Sequence, residues 1–230
     1  MSNLVEIAKK ILLDNRRSGY TLPTNNKLYP AQWNWDSAFI SLGYSYFNLD
    51  YAIEELETLL KGQWDDGMVP HILFHDVDDT YFPNHTTWSC GKEIPSSGIT
   101  QPPIAATILS MIVKNNQLNE IQNRKVFNLV CKLKNYHEWF FKNRDKNQSG
   151  LISIIHPWES GYDNSPLWDS ALSKVTIEKN LSYERRDLEV SNNDERPLNK
   201  DYDCYITLLN QFKSDNYNPN KLLNKSMFNI

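Results

Sequence analysis

Apolar residues recur every three to four positions in several separate stretches of this chain, and this spacing restricts its fold more than any other feature. Near the amino terminus, Leu4, Ile7 and Ile11 follow this period up to about Arg16. Such spacing puts them on one helical face, which must bury against another element. The pattern returns over residues 36–47, 52–60, 104–112, 126–141, 166–172 and 200–212. We therefore expect an all-α chain of about seven helices.

The connections between these helices differ greatly in length. The second and third helices follow each other directly around Asn48, which predicts an antiparallel helical pair. Residues 62–102 show little helical period and many turn residues, and residues 151–155 form a short β-like run. Connections of about forty residues are unusual in compact domains and tend to carry function. A chain of 230 residues can form one large domain or two small ones, here with a long inserted loop region over 62–102.

Composition excludes several classes of protein. The net charge is −4 and no basic stripe with interleaved aromatic residues occurs, which argues against a nucleic-acid partner. No apolar run approaches the roughly 20 residues that span a bilayer, and residues 1–17 are typical of an amphipathic helix, so we expect no membrane contact and a cytoplasmic location. Cys90, Cys131 and Cys204 are odd in number and widely spaced, which favours buried thiols over a disulfide framework or a zinc site.

Two weaker patterns concern metal binding. His71 and His75 are four residues apart, as in helical metal sites, but they lie in an extended context and no Glu follows the first His. Asp76, Asp78 and Asp79 lack the Gly and the distal Glu of a calcium loop. We expect neither a metal ion nor another cofactor.

Residues 156–169, HPWESGYDNSPLWD, place three acids and two Trp around a Gly turn. Glu159 and Asp163 lie on either side of Gly161. Trp and carboxylate together are typical of a sugar pocket, because the indole covers the apolar face of a pyranose and the acid protonates a glycosidic oxygen. Asp163 followed by Asn-Ser-Pro is equally typical of a helix N-cap with Pro in the first turn. On its own, this segment supports a catalytic role and a helix-capping role for Asp163 about equally.

Two further helix starts carry similar residues. In residues 29–36, YPAQWNWD, Trp33 and Trp35 precede Asp36, which as an isolated residue is most simply an N-cap. In residues 96–103, SSGITQPP, Gln101 offers a donor and an acceptor to hydroxyl groups. Packing alone does not explain two Trp on alternate residues of a loop that leads into a helix. Three such helix starts therefore indicate one shared pocket.

The strings YPAQWNWD, TLLKGQWDDGMVPH, SSGITQPP and HPWESGYDNSPLWD occur in this order. Together they resemble the inverting α-glycosidases of glycoside hydrolase family 63, which include processing α-glucosidase I and the mannosylglycerate and glucosylglycerate hydrolases. The later residues RRD at 185–187, ERP at 195–197 and DY at 201–202 resemble the smaller microbial branch. The resemblance implies an (α/α)6 barrel of six helical hairpins. This chain would be its amino-terminal portion, with about seven of twelve helices.

The resemblance also implies the roles of individual residues. Asp163 matches the general acid. The sugar subsite, the substrate-contacting Gln and the wall beside the acid match Tyr29, Trp33, Trp35, Asp36, Gln101, Trp158 and Gly161. Tyr81 matches a loop residue that covers the ligand, and Arg196 and Tyr202 match residues that hold a glycerate carboxylate.

The general base does not match any residue. In this family it is a Glu that lies beyond the position of Ile230, in chains nearly twice as long. An inverting mechanism needs a second carboxylate roughly 6.5–9.5 Å from the acid. Glu159 is on the same wall as Asp163, so we expect it to bind a sugar hydroxyl instead.

The sequence therefore predicts the acid-bearing part of an inverting α-glycosidase that acts on a small charged glycoside, such as mannosylglycerate or glucosylglycerate. By itself this part is expected to be inactive and to associate with itself through exposed barrel faces. The alternative is a non-catalytic remnant that at most binds sugar. A purely helical scaffold leaves the Trp-rich helix starts unexplained.

Overall fold

Helical hairpins make up most of the structure, a computed structural model that describes residues 2–24, 28–76, 80–189, 191–192, 194, 196–226 and 228. Asp78, Asp79 and Glu195 lie outside these residues. Within the described part of the chain there are nine α-helices: α1 (Ser2–Asn15), α2 (Asn34–Ser45), α3 (Leu49–Lys61), α4 (His85–Trp88), α5 (Ala105–Asn115), α6 (Glu120–Arg144), α7 (Asp169–Leu172), α8 (Asn199–Ser214) and α9 (Pro219–Lys225).

Two helical hairpins lie side by side and form the centre of the fold. Helix α2 packs against α3 and α5, and α3 packs against α6, so that α2 and α5 form one layer and α3 and α6 the other. The predicted apolar face of α3, with Leu56 and Leu59, is fully buried in the core between these layers. The Asn48 side chain accepts a hydrogen bond from the backbone N–H of Tyr51 and begins α3 after a short turn. The expected predominantly helical fold of paired helices is confirmed.

The long stretch over residues 62–102 contains more order than its sequence indicates. It holds α4 and three two-residue strands, β2 (Ile72–Leu73), β3 (Cys90–Gly91) and β4 (Pro95–Ser96), which join β1 (Gln32–Trp33) in an antiparallel sheet of order β1-β2-β4-β3. In this sheet Trp33 is opposite Ile72 and Gln32 is opposite Leu73. The sheet therefore fixes the residues just before α2 against the long connection.

Helix boundaries differ from the sequence prediction in several places, and residues 166–168 of the predicted helix over 166–172 form a 3-10 helix that precedes α7. Helix α2 begins at Asn34, with Trp33 at the N-cap position, so Asp36 lies in the first turn and is not the cap. Helix α6 begins at Glu120, six residues earlier than expected, because a reciprocal pair of hydrogen bonds between Asn119 and Gln122 closes its first turn.

Three other expectations are corrected. Residues 151–155 form no strand, and helix α9 (Pro219–Lys225), which the apolar period did not indicate, packs against α6. Of the cysteines only Cys204 is buried, while Cys90 is partly exposed and Cys131 lies exposed on α6. Among the described residues, no helix combines the length and the apolar character needed to cross a membrane.

A second hydrophobic core lies where the loops before α2 and α8 meet. Trp33, Trp88, Trp158, Tyr202 and Tyr205 are all buried there. The candidate site lies in this second core.

Candidate active site

A cavity of about 340 Å³ opens among these aromatic side chains. Cavities of this size hold small ligands such as a disaccharide-sized glycoside. Eight of the residues that the sequence analysis selected line the cavity: Tyr29, Trp33, Tyr81, Trp158, Gly161, Asp163, Arg196 and Tyr202. They come from four separate segments of the chain, so the fold brings together what the sequence indicated as one pocket.

Two buried indoles form the apolar walls of the cavity. The ring of Trp33 lies edge-on to Tyr29 at 5.1 Å between centroids and edge-on to Tyr81 at 5.5 Å. The ring of Trp158 lies edge-on to Tyr202, with 6.3 Å between centroids. This edge-to-face packing holds the rings in place without a ligand. The two indoles are therefore held in defined orientations where they line the cavity.

Asp163 is one of two described carboxyl groups that line the cavity, and the other is Asp187. Burial raises its pKa from an ordinary 3.8 to about 6, the positive charge of Arg196 opposes this rise, and the negative charge of Asp36 adds to it. A carboxyl with a pKa near neutrality keeps a protonated fraction available for transfer at physiological pH. Asp163 thus has the electrostatic character of a general acid.

The competing interpretation of Asp163 as a helix cap does not hold. The short 3-10 helix Pro166–Trp168 is capped by Ser165, whose hydroxyl accepts from the backbone N–H of Leu167 at 3.2 Å. The backbone carbonyl of Asp163 accepts from the Tyr205 hydroxyl at 3.4 Å. The Asp163 side chain is therefore free of the capping role and faces the cavity.

Asp36 is close enough to Asp163 for its negative charge to raise the pKa of Asp163. Burial raises its pKa from 3.8 to about 6, while hydrogen bonds from its own backbone and from the Trp35 side chain lower it. The two carboxyls disfavour each other's ionised form because like charges repel in a partly desolvated site. Asp36 does not line the cavity itself.

Trp35 and Gln101 support the wall and do not line it. The backbone N–H of Trp35 donates to the Gln101 Oε1 at 3.2 Å, and Gln101 is buried. The Trp35 ring lies against Gly161, whose φ is +67°, and a Cβ at that position would approach the indole to 2.7 Å. Gly161 is required there both for its backbone conformation and for this close approach.

Glu159 does not face the cavity, so the expectation that it binds a sugar hydroxyl is wrong. Its Oε1 lies 2.7 Å from Nη2 of Arg144 in an ion pair that is almost completely buried. The backbone N–H groups of Ile155 and Thr100 donate to its two oxygens at 2.9 and 3.3 Å. Because protein donors satisfy this carboxylate, Glu159 has a structural role in the loop.

Arg196 forms the polar end of the cavity. Its Nε donates to Asp187 Oδ2 at 2.8 Å, and its Nη1 donates to the Tyr29 hydroxyl at 3.4 Å. Burial lowers the pKa of Arg196, but the hydrogen bonds to Asp187 and Tyr29 raise it overall. The guanidinium is thus charged and oriented toward the cavity, where it can bind a carboxylate.

Tyr81 lines the cavity on the side of the long connection between α3 and α5. Burial raises the pKa of its hydroxyl well above the ordinary value, and the nearby charges of Tyr202, Tyr29 and Asp163 add to this effect. The hydroxyl therefore stays protonated and can donate a hydrogen bond. Among the described residues, no group of three or more His, Cys, Asp or Glu side chains is arranged to hold a metal ion.

Comparison with known proteins agrees with the family resemblance that the sequence indicated. Residues 29–230 match the family model for the mannosylglycerate hydrolase MGH1-like glycoside hydrolase domain. The chain belongs to this family. Helix α1 precedes the matched region, whereas every segment that lines the cavity apart from Leu28 falls within it.

Individual members of the family resemble this chain closely. It is 44% identical to mannosylglycerate hydrolase MGH2 of Selaginella moellendorffii, over 98% of this chain and 46% of that protein. It is 35% identical to the glucosylglycerate hydrolase of Mycolicibacterium hassiacum, over 88% of this chain and 48% of that protein. The chain spans about half the length of the curated relatives it matches.

Solved structures show the same relationship. The mannosylglycerate hydrolase of Thermus thermophilus, crystallised with Tris and D-glycerate, superimposes with a TM-score of 0.93 at 41% identity. The comparison covers 98% of this chain and 54% of that enzyme. The family fold is therefore present over the matched part, an incomplete barrel.

Nine of the described residues that line the cavity were not among those selected from the sequence, and His71 and Asp187 are two of these that lay in strings that the sequence analysis quoted. His71 lines the cavity, stacked on Trp158 at 6.2 Å, and burial lowers its pKa to about 3, with His156 adding to this effect. It was considered only as a metal ligand, although it ends the string TLLKGQWDDGMVPH. Asp187 also lines the cavity, and its place in the RRD string was the available signal.

Proposed function

We propose that this chain carries the acid-bearing half of an inverting α-glycoside hydrolase site for a sugar joined to a small anionic group. The observation that supports this most directly is Asp163, a carboxyl with a pKa of about 6 in a cavity between two Trp rings and a charged guanidinium. Sugar face, glycosidic oxygen and carboxylate each have a complementary partner there. Mannosylglycerate and glucosylglycerate, the substrates that name the relatives, both have this shape and charge.

In the proposed reaction Asp163 donates its proton to the glycosidic oxygen as the bond from the anomeric carbon to that oxygen breaks. Trp33 and Trp158 hold the sugar ring, and Tyr81 covers it. Arg196 and Tyr202 bind the carboxylate of the leaving group. A water molecule attacks the anomeric carbon from the opposite face and gives its proton to a second carboxylate, so the anomeric configuration inverts.

We propose that this second carboxylate comes from the part of the relatives' length that the chain does not span. Glu159 is held by Arg144, and Asp36 does not line the cavity. Asp187 is held by Arg185 and Arg196. An inverting base belongs on the opposite face of the sugar, with room for water between the two carboxyls. By itself the chain is then expected to bind sugar and not to hydrolyse it. Location in the cytoplasm stays a prediction from the sequence.

The test joins this chain to the carboxyl-terminal half of the Thermus thermophilus enzyme, since the match covers the first 54% or so of that protein. Hydrolysis of mannosylglycerate and glucosylglycerate is followed by NMR, which also identifies the anomer released first. We expect the inverted anomer, and a loss of about 10²- to 10⁴-fold in kcat for Asp163→Asn. Asp169→Asn, an exposed carboxylate six residues away, is the matched control. Asp163→Asn with more than a tenth of the parent rate contradicts the assignment.

A second candidate function is sugar binding without catalysis. It is favoured by the observation that the walls and the anion-binding end are assembled within this chain, whereas Asp187, the other described carboxylate that lines the cavity, is held by Arg185 and Arg196. Tryptophan fluorescence of the 230-residue chain with mannose, glucose and D-glycerate measures this binding directly. Binding by the chain together with hydrolysis by the joined protein supports the enzyme; binding with no hydrolysis by the joined protein supports the remnant.

We also propose that the chain associates with itself through unpartnered helical faces. Helix α1 exposes Leu4 and Ile11, and α6 exposes Phe127 and Phe141, each with at least half of its surface accessible. Large apolar patches of this kind promote association in water.

A further inference from the structure

Arg196 belongs to a cluster of three charged residues at the polar end of the cavity, here called the Arg-Asp-Arg cluster: Arg185, Asp187 and Arg196. The carboxylate of Asp187 is buried and accepts from both arginines. Arg185 binds it through two atoms, with Nε at 3.0 Å from Oδ1 and Nη2 at 2.7 Å from Oδ2. Arg196 shares the second oxygen through its Nε at 2.8 Å.

The two arginines differ in what else they contact. Arg196 lines the cavity and reaches Tyr29, whereas Arg185 does not line it. The remaining hydrogen bonds of Arg185 are structural: its Nη1 donates to the Pro197 carbonyl at 2.8 Å and to Asn199 Oδ1 at 3.0 Å. Arg185 is thus fixed behind the wall, with its side chain only 8% exposed.

The charges of this cluster sum to +1, and Arg185 decides that sum. With Asp187 and Arg196 alone, the guanidinium would be neutralised by its own protein partner, and a ligand carboxylate would meet a net charge of zero. The other cation of the cavity, Arg186, is already offset by Glu184 and Glu189 at 3.0 and 2.9 Å. Ionised Asp163 adds negative charge to the same cavity.

We propose that Arg185 is a positioning and specificity-determining residue: by neutralising Asp187 from behind, it leaves the charge of Arg196 available to bind an anionic aglycone. Asp187 holds the Arg196 fork in place, and Arg185 supplies the positive charge that this contact would otherwise remove. In a partly desolvated site a charge several ångströms from a ligand still changes its affinity. The inference rests on the proposed function, because it concerns the group that the proposed substrate presents to Arg196.

The test measures binding of D-glycerate, glycerol and mannose to the 230-residue chain by fluorescence of the cavity tryptophans, at low and at high salt. Three variants are compared: Arg185→Gln, Arg185→Lys and the double variant Arg185→Gln/Asp187→Asn. The Lys variant keeps the charge and a cation over the Tyr202 ring, which Arg185 contacts at 4.1 Å. The double variant restores the net charge of +1 without Arg185. Near-ultraviolet circular dichroism verifies that each variant is folded.

We expect Arg185→Gln to weaken D-glycerate binding on the order of tenfold at low salt and less at high salt. Mannose and glycerol binding should change by less than about twofold, since they carry no charge for the cluster to attract. Arg185→Lys and the double variant should recover most of the loss.

Three results would overturn the proposal. Equal losses for mannose and D-glycerate would show that Arg185 acts only through packing. If the double variant binds D-glycerate more weakly than Arg185→Gln does, the hydrogen bonds of Asp187 matter more than the net charge of the cluster. A wild-type chain that binds mannose but not D-glycerate would remove the anion site while leaving the sugar-binding part of the proposed function intact. If it binds neither, the proposed function fails as well.

Discussion

Arg144 and Glu159 form an ion pair at 2.7 Å with side chains that are 1% and 2% exposed. The pair connects the end of α6 to the loop that carries Trp158 and Gly161, so it fixes one wall of the cavity from behind. A carboxylate that looked available for a substrate is instead held by the protein. The position of the site therefore depends on a buried interaction outside the cavity.

Breaking this pair should destabilise the chain. Arg144→Met leaves the Glu159 carboxylate buried without its cation, and Glu159→Ala leaves the guanidinium without its anion. Each change should lower the free energy of unfolding by about 3–5 kcal/mol, measured with urea. The double variant should lose clearly less than the sum of the two, since no uncompensated charge remains. Additive losses would show that the two side chains do not interact as described.

Gly161→Ala should disturb the cavity wall. The φ of Gly161 is +67°, and an added Cβ would lie 2.7 Å from the Trp35 ring. Gly150→Ala is a matched control, because Gly150 has a φ of +79° but nothing within 4 Å of its Cβ position. Both variants should lose roughly 1–2 kcal/mol from backbone strain. Only Gly161→Ala should also weaken mannose binding, so equal binding by both variants would contradict the proposed wall.

The pH dependence of stability should report the pKa of Asp163. Folding raises this pKa from 3.8 to about 6, so the stability that Asp163 contributes is present below about pH 4 and is lost as pH rises through 6. Asp163→Asn stays neutral at every pH. Between pH 4 and pH 7, the free energy of unfolding of Asp163→Asn, taken relative to that of the wild type, should rise by roughly 3 kcal/mol at most. Contributions from groups that do not interact with Asp163 cancel in this difference, whereas that of Asp36 changes with the substitution. A flat difference would mean that folding does not raise the pKa of Asp163.

Self-association should depend on the exposed face of α6. Val130 and Phe141 line an apolar groove between α5 and α6. Replacing Phe141 with Glu should shift the chain toward monomer in analytical ultracentrifugation, because a charge in the patch is costly to bury. Lys142→Glu, a neighbouring exposed position outside the groove, should leave the distribution unchanged. If the two variants show the same distribution of monomer and larger species, the surface through which the chains associate does not include Phe141.

The apolar period predicted the long helices because their buried faces are continuous, as in α3. It did not predict the small sheet, since strands of two residues such as Ile72–Leu73 are too short to show alternation. Segments such as YPAQWNWD pointed to most of the parts of the chain that line the cavity, because residue types indicate chemistry even when contacts are unknown. The role of Glu159 was missed because its partner, Arg144, lies 15 residues earlier in the sequence, and only the fold brings the two together.

The role of Asp163 as proton donor can be measured most directly by varying the leaving group. In the joined protein, Asp163→Asn is compared with the parent on mannosylglycerate and on α-mannosyl fluoride, whose fluoride leaves without protonation. The account predicts a loss of about 10²- to 10⁴-fold in kcat on mannosylglycerate and less than about tenfold on the fluoride. Equal losses on the two substrates would contradict it, and would make Asp163 a binding residue rather than the acid.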